Sequence, residues 1–327
     1  MKKRRLGKTG FEVSEIGLGC WQLGGDFGPL DEQQAGQILN HAYEHGINFW
    51  DTADVYGDGR SESLIAEWHK HHQQQDIKVA TKVGRSGRLF PDKFTKQQVK
   101  SDIQASARRL GVECIDLIQL HCIPPQMLVD GEIFSWLQDF KHEGLIEHYG
   151  ASVETIEEGL SCLKDSELAT LQIIFNVFRQ DAIQELLPKA ASNDVGIIVR
   201  LPLASGLLSG KFSAQQQFAE SDHRNYNRDG QAFSVGETFS GIPMNTGIEL
   251  VDGLRQWVPA GFNMAEFALR WILDHPQVSS VIAGASKPQQ VVANCLASAK
   301  PSLSEVTHQQ LDGFYQQQVK QHIRGKI

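Results

Sequence analysis

Short apolar runs rich in β-branched residues alternate along this chain with longer stretches of helical period. The runs are EVSEIGLG (12–19), GINFWDTA (46–53), IKVATKV (77–83), CIDLIQLH (114–121), IEHYGAS (146–152), TLQIIFN (170–176), VGIIVRLP (195–202) and VSSVIAG (278–284). Between them, residues 31–46 set Ala35, Ile38, Leu39 and Ala42 on one stripe and end at a glycine. Residues 95–111 do the same with Val99, Ile103, Ala107 and Leu110, and Gly111 supplies the stop. Residues 264–276 read as a strongly apolar helix closed by Pro276. Strand alternating with helix implies parallel strands. Eight such units predict an α/β chain folded as one closed (β/α)8 TIM barrel domain over 1–327, with its chemistry at the C-terminal ends of the strands. A doubly wound open sheet is the rival, but it would announce a GxGxxG after the first strand. The glycines of GLGCWQLGG (17–25) do not match that spacing.

Two features fall outside the repeat. A long polar stretch after the seventh strand, 209–247, contains HRNYNRDG and GETFSG and shows little periodicity. A connection of that length in a compact domain is usually a lid or binding loop. Within it, Arg224, Tyr226 and Arg228 read first as solvated loop surface, with contact to a sugar or carboxylate as the alternative. The tail 304–323, with Leu311, Phe314, Tyr315 and Val319, predicts an extra C-terminal helix packed on the barrel.

Composition narrows the function classes. A formal net charge of -8 argues against a general nucleic-acid binder. No apolar run approaches a membrane span. The basic patch Lys2, Lys3, Arg4 and Arg5 is followed by no apolar h-region, so it reads as a solvated terminus and not a signal peptide. Cys20, Cys114, Cys122, Cys162 and Cys295 are scattered and odd in number, which predicts reduced thiols in a cytoplasmic protein. A zinc site would need closer clustering, so no metal is expected. His121 and Cys122 are adjacent, and on a strand they would face opposite ways.

The chemistry gathers at the ends of three successive runs. Asp51 and Tyr56 lie in NFWDTADVYGDGRSES, Lys82 in IKVATKV and His121 in IDLIQLHC. A barrel brings all of them to one rim. Reducing a carbonyl puts negative charge on oxygen as hydride arrives, and an acid must donate there. A phenol, with an ordinary pKa of about 10, becomes a better acid beside an ammonium. Lys82 can supply that ammonium, Asp51 can hold it, and His121 can orient the carbonyl oxygen. Each residue alone has a bland reading, as helix cap, packing ring, solvated lysine or structural histidine. Their joint occurrence points to catalysis.

These residues resemble the aldo-keto reductase superfamily. LGKTGFEVSEIGLGCWQLGG resembles its N-terminal β-hairpin and first strand, INFWDTADVYGDGRSE its signature segment, and VATKVG and LIQLHC the lysine and histidine segments. PLASGLLSGK (202–211) and IAGASKPQQVVAN (282–294) resemble its late cofactor-binding segments. The resemblance runs through nearly the whole chain in order. It implies a (β/α)8 barrel and a nicotinamide-dependent oxidoreductase interconverting aldehydes or ketones, sugars included, with alcohols. Asp51, Tyr56, Lys82 and His121 are its catalytic set.

The resemblance also implies cofactor contacts. Ser152 would meet the nicotinamide amide, although Val153 stands where the family often has asparagine. Gln172 would meet the same amide. Arg200 replaces an aromatic residue, either to stack on the nicotinamide ring or to bind an anionic substrate or phosphate. Asn176 is a contact or a turn cap. Leu203, Gly206, Leu208 and Lys211 match the loop over the pyrophosphate, and Gly284 and Asn294 belong to the last segment. Ser286 and Lys287 open a helix and make an anion site for a 2'-phosphate, which favours NADP(H) with NAD(H) as second choice. Gln290 stands where an arginine is common, and Ala293 where a glutamate is frequent. Trp21 would wall the substrate pocket, joined by Phe27, Cys122 and the 209–247 loop. The partner is a small carbonyl or alcohol. Rival readings are a non-catalytic nucleotide-binding regulatory subunit, an NAD-linked sugar or alcohol dehydrogenase, and a barrel lyase or isomerase.

Overall fold

The computed structural model describes residues 1–72 and 76–327. Strands β1 (Lys3–Arg5) and β2 (Glu12–Ser14) form an antiparallel hairpin. Strands β3 (Ile16–Gly19), β4 (Phe49–Asp51), β5 (Lys78–Val83), β6 (Ile115–His121), β7 (Ile146–Ser152), β8 (Thr170–Ile174), β9 (Gly196–Arg200) and β10 (Val278–Gly284) close an all-parallel barrel, β10 pairing with β3. The eight apolar runs each supply one barrel strand. The first run departs from expectation, because 12–19 holds two strands. The chain turns at Glu15, whose buried carboxylate accepts from Arg4 Nε (2.9 Å) and Ser298 Oγ (2.7 Å). Arg4 therefore does not belong to a solvated terminus. Its remaining donors reach the carbonyls of Val278 (2.9 Å) and Leu273 (2.6 Å).

Period-two alternation decides what the barrel encloses. Phe49, Ala80, Leu117, Ile198 and Ile282 fill its lower interior together with Leu6 and Val13 from the hairpin, which plugs that end. Two residues further along the same inner face come Asp51, Lys82, Gln119, Arg200 and Gly284, and His121 follows Gln119 by two more. An apolar floor thus passes into a polar rim within one repeat of the alternation.

The helices obey their caps. Helix Glu32–Glu44 starts at a capping box between Asp31 and Gln34, Lys96–Leu110 runs from Thr95 to left-handed Gly111, and Met264–Leu273 starts at a box between Asn263 and Glu266. The tail is helical over Glu305–Phe314 and continues as a widened turn, Tyr315–Val319. Its Leu311, Phe314, Tyr315 and Val319 are buried. Among the described residues no helix is long and apolar enough to cross a membrane.

The 209–247 stretch is built differently from its sequence reading. Helix Met244–Leu254 already begins inside it, and a short helix, His223–Tyr226, precedes two tight turns, Val235–Glu237 and Phe239–Gly241. Buried Asn227 organises it. Its Oδ1 accepts from the amides of Ala232 and Phe233 (both 2.9 Å), and its Nδ2 donates to Thr238 Oγ1 (3.1 Å). Side chain to backbone bonds of this kind leave no hydrophobic period, which is why the order is invisible in the pattern.

Candidate active site

The rim joins all four expected catalytic residues. Lys82 is fully buried and donates to Asp51 Oδ1, to the Thr52 carbonyl (2.8 Å) and to the Tyr56 phenol oxygen (3.4 Å). Asp51 Oδ2 accepts from Gln172 Nε2 (2.7 Å) and Gln119 Nε2 (2.9 Å). Gln119 was missed from the sequence, although it lies two residues before His121 and so shares its face. Gln172, expected on the nicotinamide amide, lines the cavity but directs its amide N–H toward Asp51. The carboxylate that fixes Lys82 is thereby itself fixed by two strands.

Tyr56 hangs from the loop after β4. A close backbone approach lets the short helix Trp21–Gly24 press on that loop: a Cβ on Gly24 would sit 2.7 Å from Gly57 N. Trp21 consequently lies almost parallel to the Tyr56 ring, centroids 5.8 Å apart, and donates Nε1 to Asp26 Oδ2 (3.0 Å). The His121 ring stands edge-on to Tyr56 at 6.0 Å, and its Nδ1 is buried with no partner.

Electrostatics revise one expectation. Burial pushes the Tyr56 phenol up to about 12, and Lys82 is the largest influence pulling it back. The ammonium therefore moderates a rise and does not produce a net drop. Burial also acts against the Lys82 charge, but Asp51 and then Tyr56 hold it above its ordinary value. His121 lies well below the usual imidazole range through burial, then Arg85, Lys82 and Arg200. It is neutral at physiological pH, so the rim holds one phenol, one ammonium and one neutral imidazole.

Two cavities meet here, sharing Trp21, Tyr56, His121 and Glu237 in their walls. The first, about 480 Å³, runs across the ends of β8 to β10. Among residues assigned to cofactor binding, Gln172, Arg200, Leu203, Gly206, Lys211, Gly284, Ser286, Gln290 and Asn294 line it. Ser152, Leu208 and Lys287 do not. Ser152 is buried behind the wall with its hydroxyl 3.6 Å from Cys122 Sγ, Leu208 is core, and the Lys287 side chain is exposed. Gln290 Oε1 accepts from the amides of Ser286 (2.7 Å) and Lys287 (3.1 Å), so the expected anion site is partly capped from within. Asn176 ties the ends of two strands together, donating to the Leu201 carbonyl and Ser240 Oγ (both 2.9 Å).

The second cavity, about 510 Å³, opens between the loops after β4 to β7 and the long segment. Cys122 lines it beside His121, as expected of a pocket residue though not of two neighbours on a strand. Cys122 has φ +45°, which ends the strand alternation at His121. Arg224 and Tyr226 are likewise not solvated surface. Arg224 is paired to Asp222 (2.6 Å) and lies over Phe27 and Phe218, and Tyr226 donates to Asp26 Oδ1 (2.9 Å). The sequence reading missed Asp26, Arg85, Glu154, Phe233 and Glu237, all of which face this cavity. Cys122, Glu154 and Glu237 bring ligand-type atoms within 4.8 Å of one another. The guanidiniums of Arg85 and Arg200 lie against those carboxylates, so the arrangement is an ion cluster.

Comparison with known proteins agrees with this geometry. The "uncharacterized oxidoreductase YqkF" of Bacillus subtilis is 30% identical over 314 residues, covering 93% of this chain and 94% of that protein. The NADH-specific methylglyoxal reductase of Escherichia coli is 30% identical over 318 residues, covering 91% and 93%. The solved glycerol dehydrogenase of Gluconobacter oxydans superposes with a TM-score of 0.78 at 26% identity, covering 100% of this chain and 97% of that one. The sequence model of the aldo/keto reductase family matches residues 15–316. A barrel with this rim, matched over nearly its full length, belongs to the aldo/keto reductase family of oxidoreductases.

Proposed function

We propose that this chain reduces small aldehydes or ketones, sugars included, to alcohols with a nicotinamide cofactor, and runs the reverse oxidation when ratios favour it. The observation that carries this reading is Lys82, bridging Asp51 and the Tyr56 phenol where the two cavities meet. The first cavity suits a dinucleotide. It is mixed in polarity, with Ser205, Lys211, Arg224, Ser286 and Asn294 among its walls. Gly206 has φ +95°, which side chains rarely adopt, and a Cβ there would press on the Phe212 ring at 3.0 Å. When bound, the nicotinamide supplies the hydride that goes to the carbonyl carbon.

The chain's own groups handle the proton. Tyr56 donates its phenolic hydrogen to the carbonyl oxygen as negative charge develops there. Lys82, 3.4 Å away, stabilises the phenolate left behind. Asp51, held by Gln119 and Gln172, keeps Lys82 in place. Neutral His121 donates a hydrogen bond that orients the oxygen without competing as the acid. The phenolate regains its proton from water after product leaves. In the reverse direction it is the base.

NADP(H) is the favoured cofactor, through Ser286 in the cavity wall and the exposed Lys287 ammonium outside it. NAD(H) is accepted too, because a 2'-phosphate must displace Gln290 Oε1 from two amides. The test is titration with NADPH and NADH followed by turnover of a carbonyl panel. Tight binding of either with turnover supports the reading. Binding without turnover turns it toward a regulatory nucleotide-binding role, and binding of neither ends it.

A further inference from the structure

Glu237 comes from the long segment after β9, far in sequence from every residue of the catalytic set, yet it walls both cavities beside Tyr56 and His121. It is buried. Its Oε1 lies 3.2 Å from Arg85 Nη1 and 3.7 Å from Arg200 Nη1 but makes no hydrogen bond. An acceptor left without a protein donor at a cavity wall is one that a ligand can complete. Burial alone would raise the Glu237 carboxyl, but Arg85 and Arg200 hold it below the usual range, so it is ionised near neutrality.

The other charges of the second cavity are already committed. Asp26 accepts from Trp21 (3.0 Å) and Tyr226 (2.9 Å). Glu158 accepts from the amides of Glu154 (2.8 Å) and Thr155 (3.4 Å). Glu154 holds Arg85 at 2.6 Å. The cations are mostly committed as well, each keeping one buried donor, Nε, without an acceptor. Arg85 lies between Glu154 and Glu237, and Arg200 donates to the Val153 carbonyl (3.1 Å) with Glu237 on its other side. Four carboxylates, Asp26, Glu154, Glu158 and Glu237, face one guanidinium in this cavity, that of Arg85. A ligand carboxylate would find an excess of negative charge, four carboxylates against one guanidinium. A hydroxyl beside the carbonyl would find Glu237.

Resting on the oxidoreductase reading, we propose that Glu237 is a substrate-binding residue that accepts a hydrogen bond from a hydroxyl adjacent to the reacting carbonyl. The site then selects uncharged, polyhydroxylated carbonyl compounds and rejects those bearing a carboxylate. Arg200 accordingly serves as a counter-charge to Glu237 and not as an anion-binding residue for substrate.

The experiment compares glyceraldehyde, propanal, butanal and succinic semialdehyde on the wild type and on Glu237→Gln, with the cofactor that supports turnover. For the wild type, kcat/KM is expected at least tenfold higher for glyceraldehyde than for propanal, and at least tenfold lower for succinic semialdehyde than for butanal. In Glu237→Gln the glyceraldehyde-to-propanal ratio should fall about tenfold, mostly through KM. The succinic semialdehyde-to-butanal ratio should rise about tenfold, because Arg85 and Arg200 lose a counter-charge. A parallel fall for every substrate would mean a purely structural role and would overturn the proposal, as would a good wild-type rate with succinic semialdehyde. If the variant does not fold, the wild-type ranking decides. If the wild type reduces nothing, the oxidoreductase reading fails by itself. Calorimetric binding of erythritol against succinate then decides the inference: preference for succinate sinks it, and preference for erythritol upholds the class of ligand.

Discussion

The two ends of this barrel each carry an ion pair with a buried carboxylate, and they differ in what surrounds it. At the hairpin end, Glu15 is met by Arg4 and Ser298, and the rest of the Arg4 fork is spent on the carbonyls of Leu273 and Val278. Around Asp51 and Lys82, at the other end, His121 Nδ1, Glu237 Oε1 and the Nε atoms of Arg85 and Arg200 are buried without partners. Complete satisfaction closes a structure, whereas buried atoms with nothing to bind mark where a ligand belongs. The difference separates the end that holds the barrel together from the end that acts. It also says which end carries destabilising groups, consistent with sites that trade stability for function.

The sharpest way to break this comparison is at Tyr56. Tyr56→Phe should lower kcat by about 10²–10⁴-fold, the usual worth of a positioned proton donor, with the unfolding midpoint in urea little changed. Near-normal turnover would mean that the acid is another group. The opposite signature is expected at the hairpin. Arg4→Met leaves Glu15 buried without its cation and should cost about 2–4 kcal/mol in urea unfolding, somewhat less than a fully buried pair because Arg4 is partly exposed. Its kcat per folded molecule should stay within twofold. A large loss of kcat would show that the two ends are not separable.

Asp54 sharpens the point through pH. Burial, then Glu62 and Asp102, push its carboxyl up to about 7, and its Oδ1 has no partner. The folded chain therefore keeps a proton that the unfolded chain loses near pH 4, and stability falls as pH rises between those values. Asp54→Asn removes this cost. It should be more stable than wild type at pH 8 by on the order of 1–3 kcal/mol, with the gap closing by pH 4. An equal gap at both pH values would mean that Asp54 is not titrating in that window. The smallest effect is expected at the cofactor end of the first cavity. Gln290→Arg frees the amides of Ser286 and Lys287 and adds a cation, and should raise the NADPH-over-NADH affinity ratio about tenfold. An unchanged ratio would place the 2'-phosphate elsewhere.

Legibility followed the same division. Asp51, Lys82 and His121 were readable because each ends an apolar run, and a run that ends on a polar residue places it at the rim. Gln119 was readable by the same alternation and was overlooked. The first run was misjudged because Glu15, a polar residue inside it, is a turn between two strands. Cys122 shares a face with His121 because a positive φ, which the pattern does not show, ends the alternation. Arg85, Glu154 and Glu237 gave no local signal. Each lies in or beside a loop, and charged loop residues ordinarily face water.

By itself the sequence determined the barrel, the order of its strands and the polar layer above an apolar floor. These follow from a two-residue period and a helical period that repeat locally. It also determined which residue types could meet at the rim. The tertiary structure alone decided that the hairpin's Arg4 is tied into the lower end of the barrel and that Gln290 accepts from the amides of Ser286 and Lys287. It alone decided that Glu237 crosses from a distant segment to sit between two guanidiniums. Those outcomes depend on which loops the closed barrel brings together, and Coulomb forces across such contacts leave no periodic trace along the chain.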